Sequence, residues 1–184
     1  DLGTELILAG ADDELPPERI SEIPQRVLAR VRRARVLKER SDRDLLTGLL
    51  TRRSFLERVS SRLSEARRQE RSLSICMLDL DRFKRINDTY GHIVGDQVLI
   101  RLGRLLKERF RLEDLRCRWG GEEFAIALVN ENAATASTVL QRVLDEFSEI
   151  EFRSDQGELF HCTFSAGLSE LPTDGDNFED LLRV

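Results

Sequence analysis

The sequence predicts an α+β domain with a mixed or antiparallel sheet, and two patterns support that prediction. Strand-like apolar runs alternate with segments of helical periodicity, as in "SLSICMLDLD" at 72–81 followed by "RFKRIND". Two further strand patterns, "LRCRW" and "EEFAIALV", are separated only by Gly120-Gly121, which is typical of a tight hairpin because glycine adopts positive φ freely. A hairpin within an alternating pattern argues against an all-parallel sheet.

Helices and strands follow one another in a definite order after residue 44. Apolar spacing predicts a helix over about 53–69, and the strand at 72–81 is apolar enough to be buried on both faces. A short helix over 82–88 and a glycine-containing turn at 90–96 precede a longer helix over about 96–111. After the hairpin we expect a helix over about 131–150, a strand over about 159–170 and the start of a final helix at "DNFEDLLRV".

The first 44 residues differ in pattern and predict separate segments. Residues 1–19 end in a double proline without long periodicity, so we expect them to be the tail of an upstream domain. An apolar stripe then predicts a linker helix over 20–44, with its apolar positions at Ile20, Ile23, Val27, Val31, Ala34 and Leu37. Basic side chains on its other faces are typical of a solvated surface, while the stripe also fits a short coiled-coil seam. We expect residues 45–184 to form the main domain.

Composition argues against several classes of protein. Hydrophobic residues make up 40% of the chain and charged residues 34%, which is typical of a globular domain. The net charge of −5 argues against a general nucleic-acid binder, whose affinity depends on neutralising phosphates. We see no membrane-spanning apolar run and no secretion leader after Asp1, and we expect a fragment of a longer protein. Three widely spaced cysteines predict buried free thiols in a reducing cytoplasm.

Four carboxylates stand at the ends of two predicted strands. Asp79 and Asp81 close the strand at 72–81, and Glu122 and Glu123 begin the strand after the two glycines. If these strands are neighbours, the carboxylates converge and repel one another unless a hard cation lies between them. Mg²⁺ held beside a phosphate substrate fits this arrangement. Ordinary surface acids fit the same spacing, and the spacing does not decide between the two.

Three motifs, in order, resemble the GGDEF family of diguanylate cyclases. They are "DLLTGLLTRR" at 44–53, "DLDRFKRINDTYGHIVGD" at 79–96 and "RWGGEEF" at 118–124, and the likeness covers about 44–184. The resemblance implies a palm-like fold of the nucleotidyl cyclase type, with a central, mostly antiparallel sheet flanked by helices. It also implies an enzyme that condenses two GTP into cyclic di-GMP with release of two pyrophosphates.

The resemblance assigns the carboxylates to a metal site. Asp79, Glu122 and the backbone carbonyl of Leu80 match the ligands of Mg²⁺, for which Mn²⁺ is a possible substitute. Glu123 supports that site or assists deprotonation of the attacking ribose hydroxyl. Phosphoryl transfer depends on positioning and charge neutralisation, and cations between carboxylates and phosphates supply both.

The resemblance also assigns residues that bind GTP. Asn87 and Asp96 match the residues that read the guanine edge, and an amide with a carboxylate offers hydrogen bonds that adenine does not satisfy. Helix caps are the structural alternative for both side chains. The terminal phosphates are expected at the main-chain N–H groups around Arg82 and Phe83, with Lys84 adding a positive charge.

The segment "RLED" matches the family's inhibitory site for its product. Arg111 and Asp114 have the required spacing to Gly120, and Arg142 of a neighbouring subunit is a further candidate for this site. An ion pair between Arg111 and Asp114 at a helix end is the structural alternative. Because each active site holds one GTP and the reaction joins two, the resemblance implies a homodimer in the cytoplasm.

Glu122 stands in place of Asp, a variant that active members of the family also carry, and the chain departs from the family pattern in two further places. Thr51 stands where Asn is usual, and the chain stops at Val184, before the helix whose Lys and Arg help to hold the GTP phosphates. The N-terminal segment resembles the end of a response-regulator receiver domain. A catalytically inactive GGDEF domain that acts as a receptor for GTP or cyclic di-GMP is the alternative function.

Overall fold

The structure is a computed structural model that describes residues 42–183 of the chain. The predicted tail at 1–19 and the linker helix as far as residue 41 lie outside the described residues. Residues 42–44 were assigned to that helix, but they are not helical, and Arg43 forms an isolated β-bridge with Leu50. The last three residues of the predicted linker are therefore part of the loop that leads into the first strand.

Five helices and seven strands are formed by residues 42–183. The helices are α1 (Arg52–Arg68), α2 (Phe83–Tyr90), α3 (His92–Arg109), α4 (Ala133–Ser148) and α5 (Phe178–Leu181). The strands are β1 (Leu50–Thr51), β2 (Leu73–Leu80), β3 (Leu115–Arg118), β4 (Glu123–Val129), β5 (Phe152–Arg153), β6 (Leu159–Phe160) and β7 (Phe164–Leu171). None of these helices has both the length and the hydrophobicity needed to cross a membrane.

Five of the strands form one mixed sheet in the order β1-β3-β4-β2-β7. Only β1 and β3 run parallel among its neighbouring pairs, and the other three pairs are antiparallel. The two remaining strands, β5 and β6, form a small antiparallel ribbon. This arrangement confirms the predicted α+β class with a mostly antiparallel sheet flanked by helices.

Strand β2 lies in the interior of the sheet, which explains its nearly continuous apolar sequence. Alternate side chains of a strand point to opposite faces. Cys76 and Leu78 belong to the core formed with α2, α3 and α4, whereas Leu73 and Ile75 belong to the core formed with α1 and α5. Asp79 follows on the second of these faces but is exposed, so the apolar core ends there and a polar sheet edge begins.

Helix α3 begins at His92, several residues before the predicted start near 96. The turn between α2 and α3 is the single residue Gly91, which has a φ of 85°. Gly95 belongs to the helix, and a Cβ atom at this position would collide with the side chain of Asn87. The prediction was wrong because this glycine permits close packing of two helices, rather than a turn.

The predicted strand over 159–170 is two strands in different sheets. The short β6 pairs with β5, which the sequence pattern did not predict, and β7 pairs with β2. Between them the chain passes His161, whose Nδ1 lies 3.0 Å from the Ser148 carbonyl oxygen at the end of α4. Two-residue strands are too short to show an alternation of polar and apolar side chains.

All three cysteines are free and buried, as the sequence predicts. Burial raises the pKa of Cys117 and of Cys162 to about 12, and it raises the pKa of Cys76 further. Thiols with such pKa values remain protonated near neutral pH and are unreactive. The cysteines therefore contribute to the apolar core rather than to a reactive site.

Candidate active site

Four residues, 119–122, connect β3 to β4 and carry Glu122. The N–H groups of Trp119 and Gly120 donate to the Glu123 carbonyl at 2.8 and 3.2 Å. The guanidinium of Arg118 donates to the Gly121 carbonyl at 2.8 Å, which holds the turn from its other side. The predicted hairpin is confirmed, but neither glycine has a positive φ, so the two-residue left-handed turn was wrong.

The two glycines matter because they lack a Cβ atom, and not because they adopt a positive φ. A Cβ atom on Gly120 would collide with the carboxylate of Glu123, whereas a Cβ atom on Gly121 would meet nothing within 4 Å. Gly120 therefore makes room for the Glu123 side chain. Gly121 leaves the main chain of the turn open to a ligand that approaches it closely.

Asp79 and Glu123 are direct neighbours across β2 and β4. Their register pairs them as opposite residues, and the Leu80 N–H donates to the Glu122 carbonyl at 3.3 Å. The strands are thus adjacent, as convergence of their carboxylates requires. Side chains at opposite positions have Cβ atoms about 5 Å apart, and like charges placed there destabilise the pair.

The electrostatics of this edge favour a bound cation. Burial raises the pKa of Glu122, and the negative charges of Asp79 and Glu123 raise it further. Within residues 42–183, the three carboxylates have no hydrogen-bond donor and no cationic partner. We refer to Asp79, Glu122 and Glu123 as the acidic edge. Its negative charge is uncompensated by the described part of the chain.

The acidic edge fits Mg²⁺ bound together with a phosphate ligand. Among residues 42–183, no three His, Cys, Asp or Glu side chains are grouped closely enough to hold a metal by themselves. Mg²⁺ does not require such a group, since it is commonly held by one or two carboxylates plus water and substrate phosphates. The residues present therefore suit a metal that arrives with its nucleotide.

Asp81 does not share the properties of the acidic edge. Its carboxylate accepts hydrogen bonds from the hydroxyl groups of Thr163 and Ser165, the latter at 2.7 Å. The predicted convergence of four carboxylates is therefore reduced to three that lack donors and one that is bonded within the fold. The sequence signal for these partners was the alternation of two hydroxyl residues at strand spacing, which places both on one face.

The packing of α2 against α3 places Asn87 beside the residue that precedes Asp96. Asn87 lies on α2 beside Gly95, and Asp96 is the next residue along α3. Neither side chain has a hydrogen-bond partner among the described residues. Gly91 occupies both the C-cap of α2 and the N-cap of α3, so the cap roles considered for Asn87 and Asp96 are wrong. Their polar groups are available to a ligand.

The start of α2 has uncapped backbone N–H groups. Arg82 is its N-cap, with a left-handed backbone (φ 57°, ψ 28°) and no capping hydrogen bond from its side chain. Such a conformation costs on the order of 1–2 kcal/mol for a residue with a Cβ atom. Phe83 is buried and contributes through its main chain, whereas Lys84 is exposed. A helix N-terminus of this kind attracts anions.

A cleft of about 680 Å³ lies on another face of α2. Arg82 is the one predicted GTP residue that lines it, together with Arg85, Tyr90 and residues of the β6 segment. Tyr90 stacks on Phe160 at a centroid distance of 4.4 Å, which ties α2 to the small ribbon. Asn87 packs against Gly95 of α3, and neither Asn87 nor Asp96 lines this cleft.

The "RLED" segment forms a loop between α3 and β3. The Asp114 carboxylate is buried and accepts the N–H groups of Arg111 at 2.9 Å and Val129 at 3.2 Å. The exposed Arg111 guanidinium bonds to Glu131 at 2.8 Å instead of to Asp114. The ion pair considered between Arg111 and Asp114 is therefore wrong. Arg142 is exposed on α4 and has no partner within residues 42–183.

A comparison with protein families identifies the family of this chain. Residues 41–184 match the model of the diguanylate cyclase GGDEF domain. The chain belongs to the GGDEF family. The resemblance identified from three sequence motifs is thereby confirmed, and the family is one of cyclic di-GMP synthesis.

Two relatives match most of this chain. The response regulator PleD of Caulobacter vibrioides is 36% identical over 141 residues, which are 76% of this chain and 31% of PleD. Diguanylate cyclase A of Treponema denticola is 33% identical over 150 residues, which are 80% of this chain and 40% of that protein. The chain thus spans about a third of the length of these relatives.

Solved structures show the same fold. Diguanylate cyclase SiaD of Pseudomonas aeruginosa, in complex with its activator SiaC, is 36% identical with a TM-score of 0.74, over 90% of this chain and 64% of SiaD. The GGDEF domain of DgcB from Caulobacter crescentus, in complex with cyclic di-GMP, is 28% identical with a TM-score of 0.72, over 77% of this chain and 81% of that one.

Proposed function

We propose that this protein is a diguanylate cyclase that condenses two GTP into cyclic di-GMP and two pyrophosphates. The observation that carries the proposal is the acidic edge. Asp79 and Glu123 lie directly opposite each other, Glu122 has a raised pKa, and none of them has a donor within the described residues. A fold retains such repulsion where a ligand relieves it.

Asp79, Glu122 and the Leu80 carbonyl hold Mg²⁺, and Mn²⁺ is able to replace it. When bound, the metal neutralises charge on the reacting phosphates. Glu123 stands across from Asp79 and either supports the metal ligands or accepts the proton of the attacking hydroxyl. In each of two steps, a ribose hydroxyl of one GTP forms a bond to the α-phosphorus of the other, and the bond to pyrophosphate breaks.

Asn87 and Asp96 select guanine. The Asp96 carboxylate accepts hydrogen bonds from the guanine N–H groups, and the Asn87 amide both donates and accepts. Adenine leaves these groups unpaired, and unpaired polar groups at a binding site give strong discrimination. The packing of α2 on Gly95 supports this role because it holds Asn87 beside the residue that precedes Asp96.

Residues at the start of α2 bind the triphosphate. The N–H groups around Arg82 and Phe83 have no side-chain cap and lie next to the acidic edge in sequence. Lys84 is exposed and adds a positive charge. Main-chain donors at a helix N-terminus and a nearby cation together favour phosphate.

The product inhibits the enzyme at a second site. Arg111 is exposed and offers its guanidinium to a guanine base or a phosphate of cyclic di-GMP. Asp114 stabilises the loop by accepting the main-chain N–H of Arg111. Arg142 of a second copy completes this site. A homodimer is required for catalysis because each active site holds one GTP, and the reaction takes place in the cytoplasm, where GTP is available.

The test is product analysis after incubation with GTP and Mg²⁺. The purified protein, freed of bound nucleotide, is expected to yield cyclic di-GMP by chromatography, and Glu122→Ala is expected to abolish the product. Glu151→Gln changes an exposed carboxyl group elsewhere and is expected to leave turnover intact. GTP binding without product would instead support a receptor, and the absence of both would contradict either function.

A further inference from the structure

Asp81 is bonded differently from the carboxylates beside it. Its main-chain N–H donates to the Thr163 carbonyl at 2.9 Å. One carboxylate oxygen accepts from the Thr163 hydroxyl, and the other accepts from the Ser165 hydroxyl at 2.7 Å. We call Asp81, Thr163 and Ser165 the Asp81 clamp. Both oxygens are engaged within the fold, which distinguishes Asp81 from the candidate metal ligand Asp79.

The Asp81 clamp lies where the chain turns from β2 into α2. Strand β2 ends at Leu80, and α2 begins at Phe83, so only residues 81 and 82 make the turn. Arg82 has a left-handed backbone with a φ of 57°. A residue with a side chain keeps that conformation where its surroundings hold it. Three hydrogen bonds with Thr163 and Ser165 hold Asp81, which is the residue immediately before Arg82.

We propose that Asp81 is a positioning residue of the cyclase reaction. Its bonds to Thr163 and Ser165 fix the turn, so that the Leu80 carbonyl and the first N–H groups of α2 are in place before metal and triphosphate arrive. This role rests on the proposed function. A charged acceptor suits it because hydroxyl groups bond more strongly to a carboxylate than to a neutral oxygen. Groups held in place in advance need no reorganisation during the reaction.

The test compares three variants in binding and in turnover. Binding is measured with 3′-deoxy-GTP and Mg²⁺, since this nucleotide lacks the reacting hydroxyl. We expect Asp81→Ala and the double variant Thr163→Val/Ser165→Ala each to weaken binding about tenfold and to raise KM to a similar degree. Asp81→Asn is expected to be less impaired than Asp81→Ala, because its amide oxygen still accepts from a hydroxyl. Asp88→Ala, an exposed carboxylate on α2, is the matched control and is expected to bind normally.

The hydroxyl double variant and the Mg²⁺ dependence together separate a positioning role of Asp81 from a role in metal binding. If Asp81 positions the turn, the hydroxyl double variant reproduces Asp81→Ala, and amide hydrogen exchange at residues 82–84 becomes faster in both while thermal unfolding stays cooperative. A double variant that behaves like the unchanged protein would overturn the proposal. A raised Mg²⁺ requirement in Asp81→Asn alone would also overturn it, since it would make Asp81 a metal ligand.

Failure of the clamp is distinguishable from failure of the proposed function. If the unchanged protein binds 3′-deoxy-GTP but makes no cyclic di-GMP from GTP, the cyclase is refuted and the binding series still decides whether the clamp orders the nucleotide site. If the unchanged protein does not bind the nucleotide with Mg²⁺ at all, both proposals are overturned.

Discussion

The acidic edge and the RLED loop both contain carboxylates, but the fold treats them in opposite ways. Asp79 and Glu123 are opposite residues on neighbouring strands, Glu122 precedes Glu123, and none of the three has a donor in the described part of the chain. Asp114 is buried and accepts two main-chain N–H groups. The first arrangement costs stability and suits a ligand, whereas the second stabilises a loop. A carboxylate in a functional motif is therefore not necessarily a ligand-binding group.

Removing a carboxylate from the acidic edge should have the largest effect on activity. Asp79→Asn is expected to lower the rate of cyclic di-GMP formation about 100-fold or more, because a metal ligand contributes several kcal/mol to charge stabilisation. The free energy of unfolding without metal should stay the same or rise, since one of two opposed charges is gone. Chromatographic rates and denaturant unfolding measure these effects. Asp155→Asn, an exposed position, serves as the control, and a destabilised Asp79→Asn would contradict the comparison.

Removing the carboxylate of Asp114 in the RLED loop should lower the free energy of unfolding, in contrast to the change at Asp79. Asp114→Ala leaves two main-chain N–H groups without their acceptor in a buried place, and we expect the free energy of unfolding to fall by about 2 kcal/mol or more. The neighbouring Glu113→Ala removes an exposed charge and should change stability by about 0.5 kcal/mol or less. Equal stability of the two variants in denaturant unfolding would show that Asp114 is not structural.

Arg111 tests product inhibition without disturbing the fold. Its side chain is 65% exposed, and its pair with Glu131 is a surface pair that contributes at most about 1 kcal/mol. Arg111→Ala is expected to keep catalysis and to raise the concentration of cyclic di-GMP that halves the rate about tenfold or more. The exposed Arg67→Ala should not change it. Unchanged inhibition in Arg111→Ala would remove this loop from the regulatory site.

The sequence predicted the main elements of this fold because their periodicity is long. Helix α1 and strand β2 were placed within one residue at each end, since each has a continuous apolar pattern. The start of helix α3 and the short strands were harder to predict. Gly95 looked like a turn residue, and its actual role depends on Asn87 of another helix. Strands β5 and β6 have two residues each, so no alternation marks them.

The candidate site was predicted as a set of residue types and not as a set of bonds. Convergence of Asp79 and Glu123 followed from motif order once their strands proved to be neighbours. The different state of Asp81 depended on β7 lying on the other side of β2, which no local pattern states. Likewise, Asp114 was predicted as a ligand residue. Its structural role could not be predicted, because it depends on a hydrogen bond from the N–H of Val129, which is distant in sequence.

The smallest expected effect concerns pH and gives the finest test of the acidic edge. Burial and the charges of Asp79 and Glu123 raise the pKa of Glu122 above its value in an unfolded chain. The folded state therefore binds the proton more tightly, and the stability gained from protonation is present at low pH and is lost as the pH rises through the raised pKa. Without metal, Glu122→Gln should be more stable than the unchanged protein near neutral pH, by about 1–2 °C in Tm. The difference should disappear at acidic pH, where Glu122 is protonated in both states. Mg²⁺ with nucleotide should make the unchanged protein more stable than Glu122→Gln at neutral pH, because only the carboxylate gains from the cation.

Thermal unfolding at two pH values, with Glu151→Gln as control, measures these differences in Tm. A Glu122→Gln variant that is less stable at neutral pH in the absence of metal would mean that the edge is already neutralised within the fold.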